Sequence, residues 1–282
     1  TGTAPLIATI TVTPNQGSCV GDPKQFTITV NPTATVGTVL NNLTYCGGSS
    51  SPAITLTSAT TGTTYAWTNS NTAIGLAASG TGNIPAFTAT NTTANPITAT
   101  IRVTPTANGC TGIYKEYTIT VNPTPTVSIV LNNLTYCNAS SSPAITLASA
   151  TTGTTYTWTN TNTAIGLAAS GTSNIPAFTA TNATANPITA TIRVTPTANG
   201  CVGTYKEYTI TVNPTPTVST VLNNLTYCNT SSSPAITLAS ATTGTTYAWT
   251  NTNAAIGLAA SGTGNIPAFT ATNTTANPIT AT

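Results

Sequence analysis

The sequence predicts an all-β chain of tandem antiparallel β-sandwich domains in an extended array, and three observations carry that prediction. Threonine dominates a composition also rich in Val, Ile and Tyr, whose branched or aromatic side chains fit a pleated surface. Apolar and polar residues alternate over several stretches, which is the period of a half-buried strand. The sequence also repeats almost verbatim every 91 residues: Trp67, Trp158 and Trp249 keep that spacing, as do Cys46, Cys137 and Cys228, and Cys19, Cys110 and Cys201.

The elements follow in order along the period. Asn-Pro-Thr recurs at Asn31, Asn122 and Asn213, each time after Thr-Ile-Thr-Val. Proline cannot continue a strand ladder and favours an extended path, so these triplets read as linkers. Residues 1–32 then match only the closing hairpin of a repeat. Residues 33–123 and 124–214 are complete repeats, and 215–282 carry everything that precedes a closing hairpin. A repeat of this length suits one small sandwich of about seven short strands.

Within the first complete repeat, Ile54 and Leu56 suggest a short strand. Tyr65 and Trp67 alternate with Thr64, Ala66 and Thr68, and Trp67, Trp158 and Trp249 are expected in the cores. Further on, Ile97, Ala99, Ile101 and Val103 share one face and Thr98, Thr100 and Arg102 the other. The turn Ala107-Asn108-Gly109-Cys110 returns the chain into Tyr117, Ile119 and Val121, completing a hairpin.

Both ends of the sequence fall in one phase of the period, since Pro5 aligns with Pro96 and Thr282 with Thr100. A sandwich without its closing hairpin exposes an apolar groove and two open edges. The two terminal pieces are complementary. Either the chain is a window on a longer tandem array, or residues 1–32 of one copy complete residues 215–282 of another, head to tail. That second interface does not close on itself and builds fibres.

Six cysteines with no histidine read as disulfides rather than a zinc site, and so as an extracellular or cell-surface protein. Two pairings respect the period. A separation of 64 gives Cys46–Cys110 and Cys137–Cys201 within the complete repeats, leaving Cys19 and Cys228 for an inter-subunit bond or partners beyond the fragment. A separation of 27 gives Cys19–Cys46, Cys110–Cys137 and Cys201–Cys228 across repeats. The first is preferred because it lets each repeat fold independently.

Composition removes most chemistry. Charged residues make up 3% of the chain, and the only acids are Asp22, Glu116 and Glu207. Lys115-Glu116 and Lys206-Glu207 are strand neighbours pointing to opposite faces, so neither forms a catalytic pair. The chain therefore reads as no enzyme, with no cofactor and no metal, since a calcium site wants several carboxylates. A net charge of +2 is too thin to neutralise a row of phosphates, which excludes nucleic acid. No apolar run is long enough for a membrane-spanning helix. Tyr65 and Trp67 would also suit a sugar-stacking platform if exposed. Asn42, Asn133, Asn182 and Asn224 match the N-glycosylation acceptor.

The run from Tyr156 through Thr172, followed by Asn174-Ile-Pro-Ala-Phe-Thr-Ala-Thr-Asn and by Pro187 to Pro196 through Gly200-Cys201 to Tyr208-Thr-Ile-Thr-Val-Asn-Pro, resembles the PKD-like, immunoglobulin-like repeats of large secreted Bacteroidota surface proteins, gliding-associated adhesins among them. The resemblance recurs once per period over the whole chain. It implies immunoglobulin-like sandwiches at a cell surface and offers no catalytic residues to carry over. The expected function is a structural protein of an extracellular filament, stalk or surface fibre. Its partners would be copies of itself or the rest of a longer array. The alternative is the repeat region of an adhesin that contacts glycans or surfaces.

Overall fold

A computed structural model of the chain describes residues 2–282. They fall into two compact units: Thr1–Ile129 with Leu147–Tyr156 and Thr195–Tyr205, and Val130–Thr146 with Thr157–Val194 and Lys206–Thr282. Apart from three single-turn 3₁₀ segments, the regular structure of the described residues is strand.

The chain begins with a hairpin. Strand β1 (Leu6–Val12) continues into β2 (Asn15–Gln16), turns at Gly17, and returns through β3 (Cys19–Val20) and β4 (Lys24–Val30). β1 and β4 pair antiparallel from Leu6 opposite Val30 to Val12 opposite Lys24.

The first complete repeat contains β5 (Leu43–Cys46), β6 (Ser50–Ser51), β7 (Thr64–Asn69), β8 (Ser79–Thr81), β9 (Phe87–Thr88), β10 (Ile97–Ala107), β11 (Cys110–Thr111) and β12 (Lys115–Asn122). Its main sheet runs β5-β12-β10-β7-β8, with β11 also on β10. The β6–β9 pair and the Ile54–Ile84 bridge are the remaining ladder of the opposite layer. Alternation turns Ile101, Val103, Trp67, Tyr117, Ile119 and Val121 inward, and the other layer meets them with Leu56, Ile74, Leu76 and Ile84. Burial of this size is the main favourable term in such a small sandwich.

Two features of this sheet depart from the expected pattern. Ile54 forms only an isolated bridge and Leu56 lies outside any strand, because that stretch is pinned by single contacts such as Leu56 N–H donating to Asn83 Oδ1 at 2.9 Å. In addition, β5 pairs parallel to β12, with Leu43 opposite Ile119 and Cys46 opposite Asn122. Parallel neighbours need a long crossover, and here most of the repeat lies between the two strands. The sandwich is therefore antiparallel except along this edge.

The second repeat copies the first through β13 (Leu134–Cys137), β14 (Ser141–Ser142), β15 (Thr155–Asn160), β16 (Ser170–Thr172), β17 (Phe178–Thr179), β18 (Ile188–Ala198), β19 (Cys201–Val202) and β20 (Lys206–Asn213). The strand order β13-β20-β18-β15-β16 is the same. The third copy has only β21 (Ser232–Ser233) paired with β24 (Phe269–Thr270), and β22 (Ala248–Thr250) paired with β23 (Ser261–Thr263). Residues 225–228, counterparts of β5 and β13, form no strand.

Amides take the place that charges hold elsewhere. Asn69, buried, donates through Nδ2 to the Leu76 and Ala77 carbonyls and accepts from Asn71 N–H at 2.9 Å. Asn91 donates to the carbonyls of Asn95 and Val121 and accepts from Thr93. Each such bond closes a loop whose backbone groups would otherwise be buried without partners. A neutral amide gives both donor and acceptor without the desolvation cost of an ion. This accounts for a chain with so few charges.

Candidate interface: an open hairpin and an incomplete sandwich

Position for position, β1 and β4 are the strands β10 and β12 without their neighbours. Ile101, Val103, Ile119 and Val121 are fully buried and Tyr117 is 3% exposed; their counterparts Ile10, Val12, Ile28, Val30 and Phe26 are 36, 54, 49, 61 and 52% exposed. The residue types already match a sandwich interior, and the pairing register is the same as that of β10 with β12. Only the layer that would cover them is missing among the described residues of this unit. Five large apolar side chains on one face of a two-stranded ribbon make a patch far beyond the scattered exposure of ordinary surfaces.

The third copy shows the reverse. Trp67 and Trp158 are each 3% exposed, whereas Trp249 is half-buried, as are Ile256, Leu258 and Ile266, whose counterparts in the complete repeats are sealed. Leu225 is exposed where Leu43 and Leu134 are half-buried, and Val218 is exposed where Val36 and Val127 are buried. β22 spans three residues against six in β7, because the strand that would hold its other edge is absent among the described residues. Each Trp ring lies on a cross-strand glycine: a Cβ at Gly80, Gly171 or Gly262 would overlap the indole of Trp67, Trp158 or Trp249.

The cysteines differ from the expected pairing. Cys46 is joined to Cys201, 155 residues on, with Cα atoms 5.6 Å apart; Cys19, Cys110, Cys137 and Cys228 are free thiols. The within-repeat bonds Cys46–Cys110 and Cys137–Cys201 are thus replaced, and the bonds at 27 residues are absent as well. Geometry gives the reason. Parallel pairing puts Cys46 beside Asn122, at the Ile97 end of β10, while Cys110 pairs with Ala107 at its other end, about 30 Å away along an extended strand. Asn122 Nδ2 donates to the Asn199 carbonyl at 2.9 Å, in the tight turn that carries Cys201. The bond closes a 155-residue loop, worth about 5 kcal/mol on the chain-entropy account.

The remaining candidates hold structural positions. Glu116 lies opposite Arg102 on the solvent face, with Nε to Oε1 at 2.8 Å, and Arg193 with Glu207 repeats the pair at 2.7 Å. The Arg102 guanidinium, raised above its usual pKa chiefly by the hydrogen bond to Glu116, also lies over the Tyr114 ring at 4.2 Å. Among the described residues no three His, Cys, Asp or Glu side chains converge on a possible metal. Of the glycosylation acceptors, Asn182 is buried with its nitrogen donating to the Asn186 and Val212 carbonyls. Asn42 and Asn133 accept through their side-chain oxygens from Thr118 and Thr209 N–H. No described helix is long and apolar enough to cross a membrane.

Comparison with known proteins gives a family and a set of distant shapes. The PKD-like domain matches twice, over residues 44–125 and 135–216. No curated protein sequence matches the chain. Among solved structures, an I-band fragment of titin is 7% identical over 86% of this chain and 89% of its own, with a TM-score of 0.49. Extracellular domains 3–5 of Drosophila OTK are 11% identical over 68% and 69%, with a TM-score of 0.41. Three domains of mouse cadherin-23 are 11% identical over 75% of each chain, with a TM-score of 0.31.

Proposed function

The chain belongs to the PKD-like domain family, and from that premise we propose that it is a structural protein of an extracellular filament, stalk or surface fibre, without enzymatic activity. Residues 33–123 and 124–214 are its whole repeats. The hairpin 1–32 of one copy completes the sandwich begun by residues 215–282 of another. The observation that carries this reading is the pairing of opposites: an exposed apolar ribbon in interior register, and a sandwich with a half-open core whose sequence calls for that ribbon. Joining them removes both from water and gives β22 a second neighbour, which favours association through apolar burial and ladder hydrogen bonds together.

Docking has one cost. Residues 279–282 stand at the positions that Leu6–Thr9 would fill, and Thr282 is held by its carbonyl accepting from Thr252 N–H at 3.1 Å and by its N–H donating to Thr252 Oγ1 at 2.9 Å. Those bonds give way when β1 of another copy takes the place. The donor brings Ile10 and Val12 along with its second strand, so the exchange favours it. The Cys46–Cys201 bond supports an oxidising, extracellular compartment. The adhesin alternative loses its sugar platform at Trp67 and Trp158, which present no accessible ring face.

The test is light scattering and electron microscopy of the purified chain, with and without excess synthetic peptide 1–32. Growing end-to-end oligomers that the peptide caps are expected. A monodisperse monomer whose Trp249 emission ignores the peptide would overturn the reading.

A further inference from the structure

The free cysteines acquire partners once the observed bond is treated as a rule of the repeat. Cys46 bonds the cysteine that lies 155 residues further along the period, in the hairpin turn of the following repeat. Cys137 and Cys228 are the same cysteine in the second and third copies, and Cys19 and Cys110 are the hairpin-turn cysteines not yet used. One period places the partner of Cys137 in a hairpin turn that follows residue 213, and that of Cys228 one repeat beyond. When the hairpin of a second copy completes residues 215–282, its Cys19 and Cys110 occupy those two places. We propose that each head-to-tail junction is closed by two disulfides, Cys137 to Cys19 of the next copy and Cys228 to Cys110 of the next copy. The inference rests on the end-to-end completion proposed above.

Three local observations support this register over any other. Cys137 lies opposite Asn213 in the parallel pair β13–β20, as Cys46 lies opposite Asn122. The hairpin turn is already latched by the same amide in two places: Asn31 Nδ2 donates to the Asn108 carbonyl at 3.0 Å, and Asn122 Nδ2 to the Asn199 carbonyl at 2.9 Å. Asn213 completes that series, and the residue it would meet in a second copy is Gly17, which shares the left-handed turn conformation of Asn108 and Asn199. Finally, a Cβ at Gly112 would overlap the Ala34 carbonyl and one at Gly203 the Pro125 carbonyl, each at the start of its own repeat. Gly21 stands at the matching position and meets only Pro14 within the chain. The carbonyl that corresponds to those of Ala34 and Pro125 in the next period is that of Pro216, which another copy would supply.

The chemistry is thiol–disulfide exchange with a disulfide oxidant. The Cys137 thiolate attacks the oxidant's disulfide and expels one of its thiolates. The Cys19 thiolate of the next copy then attacks the mixed disulfide and expels the second. Two protein thiols are oxidised, one oxidant disulfide is reduced, and the two thiol protons pass to the two expelled thiolates. Cys228 with Cys110 repeats the sequence of steps.

The chain is suited to a direct test, because Lys24, Arg102, Lys115, Arg193 and Lys206 let trypsin place each of the six cysteines on its own peptide. Equal amounts of isotopically light and heavy protein are mixed after reduction, reoxidised with glutathione disulfide, blocked, digested and mapped without reduction. Peptide 116–193 should be bonded to 1–24, and 207–282 to 103–115, with about half of each in mixed light–heavy form. Peptide 25–102 bonded to 194–206 should stay unmixed. Oligomers in which 207–282 is bonded to 1–24, or in which all four thiols stay free, would overturn the inference and leave the assembly reading standing. Absence of any oligomer would remove both. The double variant C137S/C228S should assemble natively and lose its ladder in denaturing gels without reductant; a surviving ladder would also overturn the proposal.

Discussion

Ile101 and Ile10 occupy the same point of the same 91-residue period, in strands that pair with their hairpin partners in the same register, yet one is sealed and the other stands in water. The ribbon itself does not differ. What differs is whether β5, β7 and the opposing layer are there to cover it. Strand pairing in this hairpin is therefore local and needs no covering layer to set its register, while the core is a property of pieces far apart in sequence. The proposed delivery of residues 1–32 to another copy requires a hairpin of this kind, paired before it is covered.

The strongest way to break that comparison is to give the third copy its own ribbon. Appending a second copy of residues 101–123 after Thr282 should bury five large apolar side chains, a gain on the order of 10 kcal/mol before ordering costs. Trp249 emission should shift to the blue and end-to-end growth should stop. An unchanged Trp249 would mean that completion needs more than the ribbon.

A smaller effect separates the two isoleucines themselves. Ile101→Ala should cost about 3 kcal/mol in denaturant unfolding, as a large-to-small change in a packed core does. Ile10→Ala should cost the unassembled chain less than about 1 kcal/mol, yet weaken assembly. Equal costs at both sites would show that the hairpin is already covered in the single chain.

The glycines under the tryptophans extend the contrast. Gly80→Ala drives a methyl into the sealed Trp67 ring and should cost about 2 kcal/mol, whereas Gly262→Ala, beneath the half-open Trp249, should cost less than half of that. Chemical unfolding monitored at each tryptophan checks the difference.

The smallest effect concerns the buried phenols of the complete repeats. Tyr117 and Tyr208 hydroxyls are buried without a hydrogen-bond partner, and burial pushes both well above the ordinary value of 10.0. The fold favours their protonated form, so their share of stability is whole below about pH 10 and is lost as pH climbs from there towards the raised folded value. Tyr117→Phe and Tyr208→Phe should raise stability at neutral pH by up to about 1 kcal/mol. They should also flatten the alkaline decline seen in pH-dependent unfolding, while Phe26 gives the hairpin no such titration.

Much of this was legible in the residues. The alternation from Ile97 to Val103 and from Tyr117 to Val121 identified a hairpin, and the 91-residue period identified its copy in Leu6–Val30. The parallel strand Leu43–Cys46 was not legible, because four residues with no alternation long enough to count find their partner more than 70 residues later. The cysteine pairing failed for the same reason. Without knowing that β5 runs beside the end of β12, nothing in the spacing says that Cys46 faces the next repeat rather than its own. Asn69, Asn91 and Asn182 were equally silent, since an asparagine that holds a buried loop is spelled like one that merely lies on the surface.

The Cys46–Cys201 bond also sets how the chain bears load. A pull on residues outside the span 46–201 passes from one sulfur to the other and leaves everything between them slack. Unfolding that span under tension releases no length, although its 155 residues would otherwise extend to roughly 500 Å of thread. The bond acts as a strain stop, and extension is confined to the segments that lie outside it.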